Sequence, residues 1–535
     1  MKKGNFFLPN VGGMISLRFF IVFFSFSINV ISQNTFTVNS TDDTKDVDLA
    51  DNKCADSNGN CTLRAAIENA NKFPDRDKID FNIKGPGPYT ILLKKNLPAI
   101  KENVELSGTN LNCYSPDYPQ IILDGTAIIP GATRDPEDVP TGLWLTGESS
   151  GSTIKGLAIV GFSGAGIMVN SDKNIIQSNL IGLTPDGRVG FRTSFGILIR
   201  GTDNLIGGSD IGDKNVLSAI TIGIFVYSGN TIKGNYIGTT RDGCSPLPNR
   251  AGIALTRYSE NNLISNNLIS GNEEGIQLAG DNNIIENNKI GTNAAGTEKI
   301  PNGTGIRLSG ALNNLIGGRN NGNIISGNKV GISIEERHVS NEQNNRILNN
   351  LIGTDISGNF ELGNETGILL KSGNENRIGG FKKGDGNVIS GNMKFAIEVN
   401  GSQETTIAGN YIGTNKTGTL AVPNGGGIKL EGSPDVMNCF NNIITSNLIS
   451  GNAGDGIEIK NAQFNSITGN WLGTQLDGVS PLPNGGYGIS TGSLAQINCI
   501  GGPDNDQENL VKFNRKDWPE TQPASSFSHL LLIQQ

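Results

Sequence analysis

Apolar residues arrive along this chain in short pulses, and Gly or Asn closes each one. In Asn447–Thr474, NLISGNAGDGIEIKNAQFNSITGNWLGT, the pulses are Leu448-Ile449, Gly456-Ile457-Glu458-Ile459 and Ser466-Ile467-Thr468. Each is too short for a helix, so turn-bounded pulses of this length predict short strands joined by tight turns. The unit recurs. GIxI or a near variant starts at Gly166, Gly196, Gly223, Gly252, Gly275, Gly305, Gly331, Gly367, Ala396, Gly427, Gly456 and Gly488. The mean period is about 29 residues, within the range of stacked-repeat architectures. Three strands per repeat predict a triangular rung, with the next rung stacked on it at roughly 4.8 Å. The Ile, Leu and Val of each pulse then point inward and meet their counterparts, a face that no single repeat can bury alone. Gly is expected at corners that need positive φ, and Asn tolerates the same conformation while its amide bonds corner backbone. Asn272, Asn328, Asn392 and Asn452, each in an SGN corner, are expected to form one column. The fold class is therefore all-β: a parallel β-helix with three strands per rung.

The rungs alternate in length. One class carries a loop after N-x-[IL]-G, beginning at Asn179, Asn235, Asn288, Asn350, Asn410 and Asn470; the other turns at a short ISGN corner. Loops on alternate rungs predict ridges along one edge, with Thr239, Thr292, Thr354, Thr414 and Thr474 stacking at every second rung. The Asp residues vary from loop to loop and the regular spacing of a calcium array is absent, so no metal site is expected.

Both ends differ in texture. Residues 1–32 read as a secretory signal: Lys2, Lys3 and Arg18 precede an apolar run, Phe19 to Val30, with Val30 and Ser32 ahead of a cut before Gln33. The alternative, a membrane anchor, is weakened by the run's length and by Ser25, Ser27 and Asn29 within it. Phe36-Thr37-Val38 predicts a first strand. In CTLRAAIENAN, Cys61 to Asn71, residues Leu63, Ala66, Ile67 and Ala70 share one helical face. A short helix there would close the open end of the coil. Cys54 and Cys61 bracket ADSNGN, and in an exported protein a small disulfide is expected, with two free thiols as the alternative. Cys113, Cys244, Cys439 and Cys499 are scattered and expected to be packed or free. Beyond Glu508-Asn509-Leu510-Val511, which begins another rung, the tail is irregular and is expected to cover the last rung or to reflect a truncated or frame-shifted sequence.

Phe36-Thr37-Val38, the paired cysteines, Cys61-Thr62-Leu63-Arg64-Ala65-Ala66-Ile67 and Ala70-Asn71 resemble the CSLREA motif. That motif marks the N-terminus of many exported bacterial proteins with a right-handed parallel β-helix of the pectin-lyase type. Thr62 stands for the motif's Ser and Ala65 for its Glu, so any contact made by that Glu is in question here. Phe81-Asn82-Ile83, Leu97-Pro98-Ala99-Ile100, Ile121-Ile122-Leu123-Asp124-Gly125 and the later repeats are also similar to family segments, over about residues 34–512. The resemblance implies fold, handedness and export, whereas the superfamily holds lyases, hydrolases and adhesins alike. The expected organisation is a signal peptide (1–32), a CSLREA-type cap with the first rungs (33–130), β-helix repeats (131–514) and an irregular tail (515–535).

Composition narrows the chemistry. The formal charge is −8, which argues against a nucleic-acid partner. Two histidines leave little room for a His-based metal site or a Ser-His-Asp triad, and no cofactor is expected. Along the GIxI strands, Arg307, Ser333, Leu369, Glu398, Lys429 and Glu458 should form one outward file. Ser309, Glu335, Lys371, Asn400, Glu431 and Lys460 should form a second. Alternating signs read first as a solvated ladder of ion pairs. Glu398 and Glu458 are the candidate catalytic carboxylates, two rungs or roughly 10 Å apart, near the upper limit for an inverting pair. Lys429 between them favours the charged form of both, the wrong state for a general acid. Glu335-Glu336-Arg337-His338 is a dense ionisable stretch read as a polar loop. Tyr411 and Trp471, with Tyr236 further along, occupy one place in the N-x-[IL]-G repeat. They are candidate sugar platforms, with Lys429 as a polar partner; packing over a corner is the alternative, since Leu180 and Leu351 fill the same place. The expected function is an extracellular or cell-surface protein binding a polysaccharide or cell-surface glycan, with no membrane span in the mature chain. A polysaccharide lyase or hydrolase on the same scaffold, or a structural spacer, are the alternatives.

Overall fold

Each turn of the chain gives one strand to each of three parallel sheets. Sheet A runs from Thr35–Val38 to Cys499–Ile500 and has 16 strands. Sheet B runs from Tyr89–Leu92 to Leu510–Val511 with 15, and sheet C from Leu143–Leu145 to Ile489–Thr491 with 13. The computed structural model describes residues 33–516 except 73, 75, 112–113, 117, 131–138, 188, 190–192, 336–342, 434, 436–437, 493–494, 496 and 505. The signal at 1–32, Cys113, Glu336-Arg337-His338 and the tail from 517 lie outside the described residues. No helix among the described residues is long and apolar enough to cross a membrane.

The interior is a set of aliphatic files. Ile428 pairs with Ile457 and Ile457 with Ile489, all fully buried. Burying one such side chain stabilises by roughly 1.5–3 kcal/mol. The glycine that opens all but one of these units, Ala396 being the exception, gives clearance and does not take positive φ. A Cβ on Gly305 would lie 2.5 Å from the Gly331 carbonyl oxygen, and one on Gly427 2.2 Å from that of Gly456. Positive φ belongs to the corner glycines, such as Gly291 at 89°.

Strand pairing cannot satisfy the corner backbone, and buried asparagines do so instead. One ladder runs through Asn179, Asn215, Asn235, Asn267, Asn288, Asn323, Asn350, Asn387, Asn410, Asn447, Asn470 and Asn509. Each Nδ2 donates to the next Oδ1 at 2.9–3.1 Å. The backbone N–H of Asn267 also donates to Asn288 Oδ1, and its Nδ2 to the Ile232 carbonyl. A second ladder holds the SGN asparagines, but at every second rung. Asn302, Asn364, Asn424 and Asn484, from the ends of the long loops, interleave with Asn272, Asn328, Asn392 and Asn452. A third ladder at the remaining corner runs from Asn174 to Asn376, is interrupted at Thr405 and resumes at Asn442. Asn-Asn doublets divide the work. Asn266 takes φ 56° while Asn267 is buried in the ladder.

The N-terminal end is closed by the helix Leu63–Ala70, with Leu63, Ala66, Ile67 and Ala70 in the same core as Ile79 and Ile91. Thr62 Oγ1 accepts from Ala65 N–H and caps the helix. Ala65 is fully buried, so a carboxylate at this position would have no water. Arg64, 3% exposed, pairs with Asp43 at 2.7 Å and donates to the carbonyls of Asn96 and Lys95 at 2.8 and 3.0 Å. A disulfide joins Cys54 to Cys61.

Two substitutions separate these roles by thermal melting. Asn267→Ala removes the acceptor of the Asn235 backbone N–H and is expected to destabilise by about 1–3 kcal/mol, whereas Asn266→Gly keeps the left-handed turn and changes little. Arg64→Met leaves Asp43 buried without its partner and is expected to cost about 3–5 kcal/mol.

Candidate functional site

The outer face of sheet B carries one file through Val216, Tyr236, Leu268, Lys289, Ile324, Leu351, Val388, Tyr411, Leu448, Trp471 and Leu510. It is apolar although it points away from the core, because the long loops fold over it. Loops close at the antiparallel bridges Thr239–Pro246, Thr292–Lys299, Thr354–Glu361, Thr414–Ala421 and Thr474–Pro481. They stack on one another: Ala294 N–H donates to Gly243 O, Ile356 to Gly296, Lys416 to Gly358 and Leu476 to Gly418, at 3.0–3.1 Å. This is the ridge that the alternating rung lengths predict.

Tyr236, Tyr411 and Trp471 sit half-buried in that file, Tyr411 and Trp471 two rungs apart with Leu448 between them. A Cβ on Gly478, in the loop following Trp471, would stand 3.6 Å from its ring. Part of each aromatic therefore serves as packing, and the rest is open to solvent beside the ridge.

Beside the ridge, in the N-terminal half of the stack, lie two hollows. One, of about 650 Å³, is lined by Tyr236, Leu268, Lys289 and Ile324, with Ile211 and Ile356 on its sides. The other, of about 600 Å³, is lined by Tyr118, Leu183, Lys214, Arg241 and Leu247. Lys214 Nζ lies 4.8 Å from the Tyr236 ring centroid and donates to Arg241 O at 3.2 Å. The Arg241 guanidinium stands 5.7 Å from the Tyr118 ring and donates to Pro185 O at 2.7 Å. Lys289 was not singled out from sequence. Its signal is that it replaces Leu, Tyr or Trp at the variable position of N-x-[IL]-G.

Lys429, Glu398 and Glu458 lie on sheet C, so the structure does not bring Lys429 to the face that holds Tyr411 and Trp471. The register places Glu398 beside Lys429 and Lys429 beside Glu458. The ion pairs, however, run along the strand: Lys429 bonds Glu431 at 2.6 Å, and Lys460 bonds Glu458. Glu398 accepts from Thr366 Oγ1 at 3.5 Å. The densest network of the face is Arg307, which contacts Glu274 and Glu335 at 2.8 Å, with Lys371 at 3.3 Å from Glu335. Of the scattered cysteines, Cys244 is exposed and Cys439 is buried, its thiol pushed up to about 12 by desolvation. No group of three or more His, Cys, Asp or Glu among the described residues is placed to hold a metal ion.

The family described as right handed beta helix region matches residues 141–352, and the three-sheet coil is a right-handed parallel β-helix. The chain is 29% identical over 225 residues to the 3-dehydroshikimate dehydratase of Acinetobacter baylyi, covering 39% of this chain and 39% of the relative. The match thus spans well under half of that relative's length. Among solved structures it is similar to the Dettilon tailspike protein, at 14% identity over 82% of this chain and 66% of that one, TM-score 0.35. It is also similar to a surface adhesin of Streptococcus pneumoniae, at 12% identity over 80% and 87%, TM-score 0.33. An Azotobacter vinelandii mannuronan C-5 epimerase module matches at 14% over 83% and 95%, TM-score 0.30.

The sheet C network gives a pH prediction. Burial raises the Glu335 carboxyl, but the Arg307 guanidinium and Lys371 ammonium outweigh it and hold the group below its ordinary range. A depressed carboxyl contributes stability that is full above the unfolded value of about 4.3 and lost as pH falls through the folded value. Arg307→Met is therefore expected to melt lower than the parent at pH 7. Melts across pH 7 to 3 should show the gap close with acid.

Proposed function

We propose that the protein is an exported, extracellular or cell-surface β-helix that binds glycan along the outer face of sheet B. The observation that carries the reading is the groove beside the loop ridge. Its two hollows, of about 650 and 600 Å³, are lined by Tyr236, Leu268 and Ile324 and by Tyr118, Leu183 and Leu247, and the half-buried Tyr411 and Trp471 continue the same file, aromatic and apolar surface that suits the faces of sugar rings. The spacing of Tyr411 and Trp471, roughly 10 Å by stacking, fits contacts to separated units of one chain. The apolar run at 1–32 and the CSLREA-like segment around Arg64 support export. Binding is favoured over cleavage because Glu458 is committed to Lys460 and because Glu398 faces no second acid among the described contacts.

A panel of immobilised polysaccharides tests this. The protein is expected to retain at least one polymer, and Tyr411→Ala and Trp471→Ala are each expected to weaken that retention about three- to tenfold. Retention that both variants leave unchanged contradicts the assignment of the face. Release of unsaturated uronate products that Glu458→Gln abolishes contradicts the binding reading.

A further inference from the structure

One cation stands where the rest of its file is apolar. Lys289 follows Leu268 and precedes Ile324 in register, and it is the one charged side chain between Val216 and Leu510 in that file. It is half-buried on the floor of the 650 Å³ hollow, where its Nζ donates to Ala294 O at 2.5 Å. Among the described residues it makes no ion pair. Desolvation lowers its pKa, as expected of a positive charge placed in an apolar setting without a counterion. An ammonium has three donors, so one bond to Ala294 leaves two. The surroundings share its sign. Lys233 lies on the rim of the same hollow, against Asp210 as the one carboxylate in the lining. In the second hollow, Lys214, Arg241 and Asp242 are among the lining residues. This local excess of positive charge occurs on a chain of net charge −8.

We propose that Lys289 holds the acidic group of an anionic glycan, a uronate carboxylate or a sulfate ester, with Tyr236 two rungs away as the platform for a neighbouring sugar ring. The inference rests on the glycan reading and adds the charge class of the ligand. The acid completes a pairing that the fold leaves open, and a partly desolvated groove strengthens it. Ile211 and Ile356, exposed at the sides, give the sugar's apolar edges a surface and limit access of bulk water.

The full-length protein is titrated with a polyuronate, a sulfated polysaccharide and a neutral polysaccharide at low and high salt. Anionic polymers are expected to bind more tightly than the neutral one, and to weaken as salt rises. Lys289→Gln is expected to reduce anionic binding about tenfold, and Lys289→Arg to restore most of it. Lys394→Gln, which removes the same charge from the bend ahead of the sheet C strand Phe395–Asn400, should not. A preference for the polyuronate or for the sulfated polymer identifies the source of the acid, and either supports the proposal. Equal binding of neutral and anionic polymers, or anionic binding that Lys289→Gln leaves intact in a variant of unchanged melting temperature, overturns the charge assignment while leaving the glycan reading standing. Failure to bind any of the polymers at either salt overturns the glycan reading itself.

Discussion

A coil with three corners per turn buries backbone groups that no neighbouring strand can reach, and the columns of asparagine amides answer that constraint. Each ladder asparagine accepts at Oδ1 from the rung before it and donates through Nδ2 to the rung after it, so the bonds run continuously along the axis. An unmet buried donor costs about 1–3 kcal/mol, and the requirement recurs at every corner. The ladders therefore do more than contribute stability. They fix the rung-to-rung register, because a slipped rung would break the amide column and the aliphatic file together.

Fixed register is what turns a repeat into a surface. Once Ile237, Ile269 and Ile290 are stacked inside, Tyr236, Leu268 and Lys289 are stacked outside. A change at one position of the repeat then places a new side chain at a known height on a known face. The long loops use the same register at two-rung intervals, and their backbone bonds make one ridge out of separate turns. The groove is the space between that ridge and the corner on the other side of sheet B. Its chemistry is set by which residue each rung offers: Tyr or Trp at some heights, Lys at one, aliphatics elsewhere.

Much of this was legible in the sequence, and the failures have physical causes. The GIxI pulses gave the strands, the stacking and the outward files of sheet C, since period-2 alternation and the repeat length leave little choice. Leu63, Ala66, Ile67 and Ala70 gave the closing helix. The reason for the GIxI glycine was not legible, because clearance from a carbonyl one rung away depends on three-dimensional approach; Ala396, with its Cβ, fills the same place. The SGN column was seen at half its density, because its other members lie in a different sequence context, at the ends of the long loops. Charge pairing along sheet C was legible in part: Glu335 and Lys371, neighbours in one outward file, do bond across rungs. Neighbours in sign along the stack suggested Glu398–Lys429–Glu458, but a long flexible ammonium reaches the residue two positions along its own strand, and Lys429 bonds Glu431. Grouping Lys429 with Tyr411 and Trp471 failed for a simpler reason: GIxI and N-x-[IL]-G strands belong to different sheets, so their outward residues never share a face.

Amide hydrogen exchange resolved to single residues tests the amide columns most directly. The backbone N–H groups of Asn267, Asn350 and Asn410 donate to the Oδ1 of the next ladder asparagine at 2.9 Å, and should exchange among the slowest in the protein, with the interior isoleucines of the same rungs. Exchange of these asparagine amides at the rate of the exposed loop residues Val479 and Leu420 would contradict the ladders and the register derived from them.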